Sequence, residues 1–130
     1  MARVTGIGGL FFRARDPDAL TAWYDTHLLH RSNPYEWAQD AGPTVFSPFK
    51  IDTDYFPADR QHMLNLRVEG LVDLIASLTA AGIAVETRPD WDGAYGKFAR
   101  IHDPEGNPIE LWEPPAAQAA KADHPQSDSD

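Results

Sequence analysis

The run Ile109-Glu110-Leu111-Trp112 sets a glutamate between apolar residues, and it is the first place in this chain where chemistry could sit. Strand alternation puts Glu110 and Trp112 on one face and Ile109 and Leu111 on the other, so the carboxylate shares a half-buried surface with an indole. Such a carboxylate can ligate a metal, act as a general base, or serve as a polar anchor for a bound molecule. The run follows Asp103-Pro104-Glu105-Gly106-Asn107, whose proline, glycine and Asx residues make a tight turn.

The other groups that could join Glu110 are few. The chain has no cysteine, which removes disulfides, a thiolate nucleophile and zinc-thiolate sites. Of the five histidines, His27 and His30 fall at the end of a predicted helix, where a favourable contact with the helix dipole accounts for them. His124 lies in a polar tail, which leaves His62 and His102. A formal charge of −9 argues against a nucleic-acid partner, because phosphate binding rests on basic surface. The N-terminus lacks the apolar run of a signal peptide, and no stretch approaches the roughly 18 apolar residues of a membrane span. A cytoplasmic protein with no membrane partner is the expectation.

The elements that must position Glu110 can be read in order along 130 residues, of which 42% are hydrophobic. Residues 7–14 read as a strand. Asp16 as N-cap and Pro17 at the first helical position then open a helix, with Leu20, Trp23, Tyr24 and Leu28 on one stripe. After a break at residues 31–34, short strands are expected at 35–38 and 44–49. A polar break at residues 57–60 separates this half from the next. The second half repeats the plan at an offset of 54, which lays Phe12-Arg13-Ala14 over Leu66-Arg67-Val68 and Leu20 over Leu74. It has a strand at 62–69, a helix at 71–81 capped by Gly82, and strands at 84–87, 97–102 and 108–113. Residues 116–130 read as a disordered acidic tail.

Two strand-helix-three-strand units ending in Asp-Pro-Glu-Gly-Asn-Pro-Ile-Glu-Leu resemble the vicinal oxygen chelate superfamily, which includes glyoxalase I, extradiol dioxygenases and the fosfomycin and bleomycin resistance proteins. The resemblance implies an α+β fold: two tandem βαβββ modules, about residues 5–57 and 61–114, forming a curved mixed sheet around a cleft. It makes residues 1–115 one glyoxalase/bleomycin-resistance-like domain. It also implies a cleft that is often completed across a homodimer.

In metal-using members of the superfamily each half opens with a histidine, and a glutamate near a module end completes the site. Aligning that pattern here puts Gly9 and Met63 at the histidine positions. Glycine has no ligand, and a thioether is a poor donor to a hard or borderline divalent ion. Glu110 alone does not hold a catalytic metal that takes about three protein ligands. Using His62 instead would slip the strand by one residue and turn Leu64, Leu66 and Val68 into the cleft. With residues 104–107 as the loop, His102 pairs with Ile109 and Ile101 with Glu110, which puts His102 on the face opposite Glu110. A bulge would reverse this.

The same alternation lines the cleft with Gly9, Phe11 and Arg13, then Met63, Asn65 and Arg67, and finally Glu110 and Trp112. Loop aromatics at Trp37, Phe46, Phe49, Tyr55, Phe56, Trp91, Tyr95 and Phe98 add stacking surface. Residues 93–96 read as a mobile flap. Phe11, Met63 and Trp112 could equally be core filling, and Arg13 or Arg67 could serve only to neutralise Glu110. Asn65 has both donor and acceptor capacity for a ligand.

This makeup suits a small-molecule pocket better than a metal centre. The leading expectation is therefore a protein without metal or other cofactor that binds and sequesters an aromatic or hydrophobic natural product, as an antibiotic-resistance protein does. Two enzyme readings stand beside it. One is a glyoxalase-like lyase or isomerase, or a dioxygenase, using a divalent metal. The other is a metal-free enzyme with Glu110 as general base.

Overall fold

The structure, a computed structural model, describes residues 2–33 and 35–115. Pro34 of the expected break and the tail at 116–130 lie outside the described residues. Helix α1 spans Pro17–Tyr24 and runs into a π-helical turn at Asp25–Leu29. Strand β1 (Leu64–Arg67), helix α2 (Leu71–Ala80), strand β2 (Lys97–His102) and strand β3 (Pro108–Glu113) follow. The sheet is mixed, in the order β1-β3-β2, with β1 parallel and β2 antiparallel to the central β3. Beyond β2, Glu86 adds a single antiparallel bridge to Arg100. No helix among the described residues is long and apolar enough to cross a membrane.

Both helices begin as the sequence dictates, and each also borrows a carboxylate from far along the chain. Asp16 Oδ1 accepts from the Ala19 amide at 3.1 Å, the N-cap bond expected ahead of Pro17. The Glu105 carboxylate then accepts from the Arg15 and Asp16 amides at 2.6 and 2.9 Å. Helix α2 starts at Gly70, with φ of 80°, and its first amides donate to the carboxylate of Glu113 at the end of β3. A negative group at each helix start meets both unpaired N–H groups and the positive end of the dipole.

The core lies on one face of the sheet. Leu66, Ala99, Ile101, Ile109 and Leu111 pack there against Leu20 and Tyr24 of α1 and Leu71 and Leu78 of α2. Burial of each large aliphatic side chain contributes about 1.5–3 kcal/mol. The expected division of faces holds: Ile109 and Leu111 face the helices, while Glu110 and Trp112 take the other side.

The turn at Asp103 ties this core together. Its buried carboxylate accepts from the Tyr24 hydroxyl at 2.8 Å, from the Glu105 and Asn107 amides, and from Asn107 Nδ2. Desolvation and the adjacent carboxylate push the Tyr24 phenol well above its ordinary pKa, keeping it a neutral donor. Arg60 reaches in from the preceding loop to Asn107 Oδ1 and the Glu105 carbonyl. Gly106 sits at φ of 86°, where a Cβ would come within 2.8 Å of Arg60.

Two expectations are corrected here. The register pairs Arg100 with Glu110, Ile101 with Ile109 and His102 with Pro108. The loop is one residue longer than expected, because Asp103 is used inside the turn and Pro108 joins the strand. His102 therefore shares the parity of Glu110, though it stands exposed at the end of β2.

The second correction concerns the first half of the chain. Residues 7–14, 35–38 and 44–49 form no strand, so the described sheet has three strands instead of two modules' worth. A strand exists only through its hydrogen-bonding partner. Among the described residues these segments find none, and much of their apolar surface is left in solvent, Phe11 at 93% and Phe46 at 86% exposure.

Removing the Asp103 carboxylate should cost far more than removing one of its donors. Tyr24→Phe deletes a single hydrogen bond and should lower stability by about 1 kcal/mol, whereas Asp103→Ala strands one buried and three partly buried donors and should cost about 3 kcal/mol or more. Urea unfolding of the two variants checks this, and similar losses would refute the central role of the turn.

Candidate functional site

The sheet face away from the helices carries the polar groups. Parallel pairing of β1 with β3 sets Asn65 beside Glu110 and Arg67 beside Trp112. Antiparallel pairing of β2 sets Arg100 and Phe98 on the other flank, opposite Glu110 and Trp112. Opposed residues on neighbouring strands point to the same side. The register alone therefore assembles a carboxylate, an amide, a guanidinium and two aromatic rings.

Glu110 is only 8% exposed, yet each carboxylate oxygen has a donor. Asn65 Nδ2 donates to Oε1 at 2.8 Å. The Tyr55 hydroxyl donates to Oε2 through a short hydrogen bond. Burial, that hydrogen bond and the carboxylate's charge push the Tyr55 phenol from 10.0 up to about 12, with Arg100 opposing the rise. The phenol is therefore neutral, and a hydrogen-bond donor to Glu110, across the physiological pH range.

Arg100 is 6% exposed and lies across the register from Glu110. Its Nη2 donates to the Tyr55 carbonyl oxygen at 2.8 Å, and its guanidinium sits 5.0 Å from the Tyr55 ring centre and 5.6 Å from that of Trp91. Its Nε is buried without a hydrogen-bond partner. Phe49 packs against Tyr55 at 5.8 Å, and Tyr55 meets Trp91 edge-on at 6.4 Å. Next to this centre Phe98 and Trp112 stack almost parallel, 6.2 Å apart with planes 8° apart. The Trp112 indole N–H donates to the Tyr95 carbonyl at 2.7 Å. That bond pins the 93–96 turn, which reciprocal bonds between Gly93 and Gly96 close. A Cβ on Gly96 would come within 2.2 Å of the Glu113 carbonyl oxygen, so only glycine fits there.

Of the residues expected to line the cleft, Asn65, Phe98, Glu110 and Trp112 come together. Arg67 shares their face, but its guanidinium donates to the Asp40 and Ala41 carbonyls and so clamps the 35–51 segment instead of neutralising Glu110. Met63 is half-buried just ahead of β1, and the Tyr95 side chain is exposed. Gly9, Phe11, Trp37 and Phe46 lie in exposed chain without assigned secondary structure and make no hydrogen bond or ring contact with the groups around Glu110. Arg13 borders a shallow depression with Ala14, Arg15, Arg60 and Glu105, remote in character from the aromatic face.

Arg100 is missing from the lining that strand alternation gives. The one-residue error in the β2–β3 register hid it, since parity counted from a five-residue connection would have placed it opposite Glu110. Tyr55 stands out in the sequence only as an aromatic ring, because nothing local signals a partner 55 positions away.

The groups around Glu110 do not fit a divalent cation. Its oxygens are taken up by hydrogen-bond donors, and Arg100 lies across the register from it. Among the described residues, no three His, Cys, Asp or Glu side chains gather in a group that could hold a metal.

Among solved structures, the chain is similar in fold to TnmS3, an antibiotic-binding protein from Streptomyces sp. CB03234. The match has a TM-score of 0.54 at 21% identity and covers 88% of this chain and 100% of that one. No sequence family and no curated protein matches the chain.

The pairing of Tyr55 with Glu110 has a pH consequence. The folded state holds this phenol neutral, whereas the unfolded chain ionises near 10.0, so its stabilisation is whole below pH 10 and lost as pH rises through about 12. Glu110→Gln removes the charge and weakens the hydrogen bond while burial remains, so Tyr55 should ionise closer to 10.0. Ultraviolet titration of tyrosinate, with Tyr55→Phe identifying the step, measures this. An unshifted step in Glu110→Gln would contradict the assignment.

Proposed function

We propose that this protein is a metal-independent binding protein of the vicinal oxygen chelate superfamily that sequesters an aromatic or hydrophobic natural product, in the manner of an antibiotic-resistance protein. The observation that carries this reading is the buried Glu110, held by Asn65 and Tyr55 and flanked by Arg100 and the Phe98–Trp112 stack. A few fixed polar groups among aromatic walls orient a small molecule, and they hold no nucleophile or metal ligand set that would turn it over. The fold likeness to an antibiotic-binding protein supports the same role.

The functional unit in this reading is a homodimer of tandem-module chains acting in the cytoplasm. Its support lies in the first half of the chain. The segments around Phe11, Trp37, Val45 and Phe46 have strand-like sequences, no assigned secondary structure and exposed apolar side chains. Pairing with a second copy would supply the missing ladder partners and bury that surface. It would also carry Gly9, Phe11, Arg13, Trp37 and Phe46 to the cleft that a single copy leaves incomplete.

Titrating the protein with a panel of polycyclic aromatic antibiotics should quench or shift tryptophan fluorescence at roughly micromolar concentrations, a binding free energy of about −8 kcal/mol. Sedimentation should show a species of twice the chain mass. A response to no compound across the panel would overturn the reading.

A further inference from the structure

Tyr55 occupies the polar centre of the site in a way that shows what chemistry the centre accepts. It belongs to residues 35–56, which have no regular secondary structure among the described residues. Among the described residues, the hydrogen bonds that tie this segment to residues beyond the adjacent Asn33 are those of Arg67 to the carbonyls of Asp40 and Ala41, and those of Tyr55 itself. The Tyr55 side chain is a phenol whose hydroxyl meets a buried carboxylate oxygen and whose ring lies beneath a guanidinium and against an indole edge.

We infer that this centre is a site for hydroxy-aromatic compounds, in which a phenol-type ring of the ligand replaces the Tyr55 side chain and its hydroxyl donates to Glu110. The inference rests on the binding role proposed above and names the ligand class for that same site. Three features argue for it. Asn65 holds Glu110 Oε1, which leaves Oε2 presented to one donor from the cleft side. An aromatic ring satisfies Arg100 by a cation–π contact, which an aliphatic alcohol would not. With Tyr55 in place the buried Arg100 Nε has no acceptor, which leaves a donor free for a further oxygen on a ligand ring. A free ligand must compete with a phenol already in place, and the affinity observed is reduced by the fraction of time Tyr55 occupies the centre.

The test compares 1-naphthol with its methyl ether, 1-methoxynaphthalene, which keeps the ring and loses the donor. Equilibrium binding is measured for the full chain and for the variants Tyr55→Phe and Glu110→Gln. The unmodified protein should bind 1-naphthol about tenfold or more tighter than the ether, the discrimination expected of a hydrogen bond to a charged acceptor. Tyr55→Phe removes the competing hydroxyl and keeps the ring, so 1-naphthol should bind several-fold tighter. Glu110→Gln should bring the two probes close to equal affinity. Equal affinities in the unmodified protein, or 1-naphthol binding that Tyr55→Phe leaves unchanged, would overturn the inference. Binding of other aromatic compounds without any binding of 1-naphthol would overturn it while sparing the broader role. Failure of every aromatic compound to bind would overturn both.

Discussion

The buried carboxylate of Asp103 is the constraint on which the rest of the molecule depends. Two of its four donors come from the backbone of the turn it opens, one from the Asn107 side chain, and one from Tyr24 on α1. Those bonds set the length of the connection between β2 and β3, and that length decides which residues face each other across the pair. Shifting it by one residue would put Ile101 against Glu110 and turn Arg100 toward the helices. The same turn supplies Glu105 to the start of α1, so it fixes both the sheet register and the helix that covers the sheet.

That dependence explains what the sequence makes legible and what it hides. The caps, the helical stripe through Leu20 and Tyr24, and the alternation of Ile109 and Leu111 with Glu110 and Trp112 are local patterns, and the structure follows them. The register is not local: it rests on whether Asp103 is spent as the last strand residue or as a turn acceptor, and its partners include a tyrosine 79 positions away. The Tyr55 contact is hidden for the same reason. Strand-like sequence in residues 7–14 and 44–49 is readable too, but such a pattern states only that a segment suits a sheet. It does not say which chain supplies the neighbouring strand.

On the far face of the sheet, Glu110 changes meaning once its neighbours are placed. With histidines at hand it would be a third metal ligand. With Asn65, Tyr55 and Arg100 around it, it is an oriented hydrogen-bond acceptor in a setting of low dielectric, where each polar contact discriminates more strongly than in water. The raised pKa of Tyr55 reports that same setting, since desolvation is its largest cause. Such a centre holds its polar groups in fixed orientation, with Glu110 as the acceptor at the middle.

A crystal structure of the protein grown with a bound aromatic ligand tests the central claim most directly. The predicted result is a ligand ring on the sheet face away from the helices, beside the Phe98–Trp112 stack, with a ligand oxygen within hydrogen-bond distance of Glu110. A ligand bound elsewhere, or a metal ion coordinated by Glu110, would contradict it.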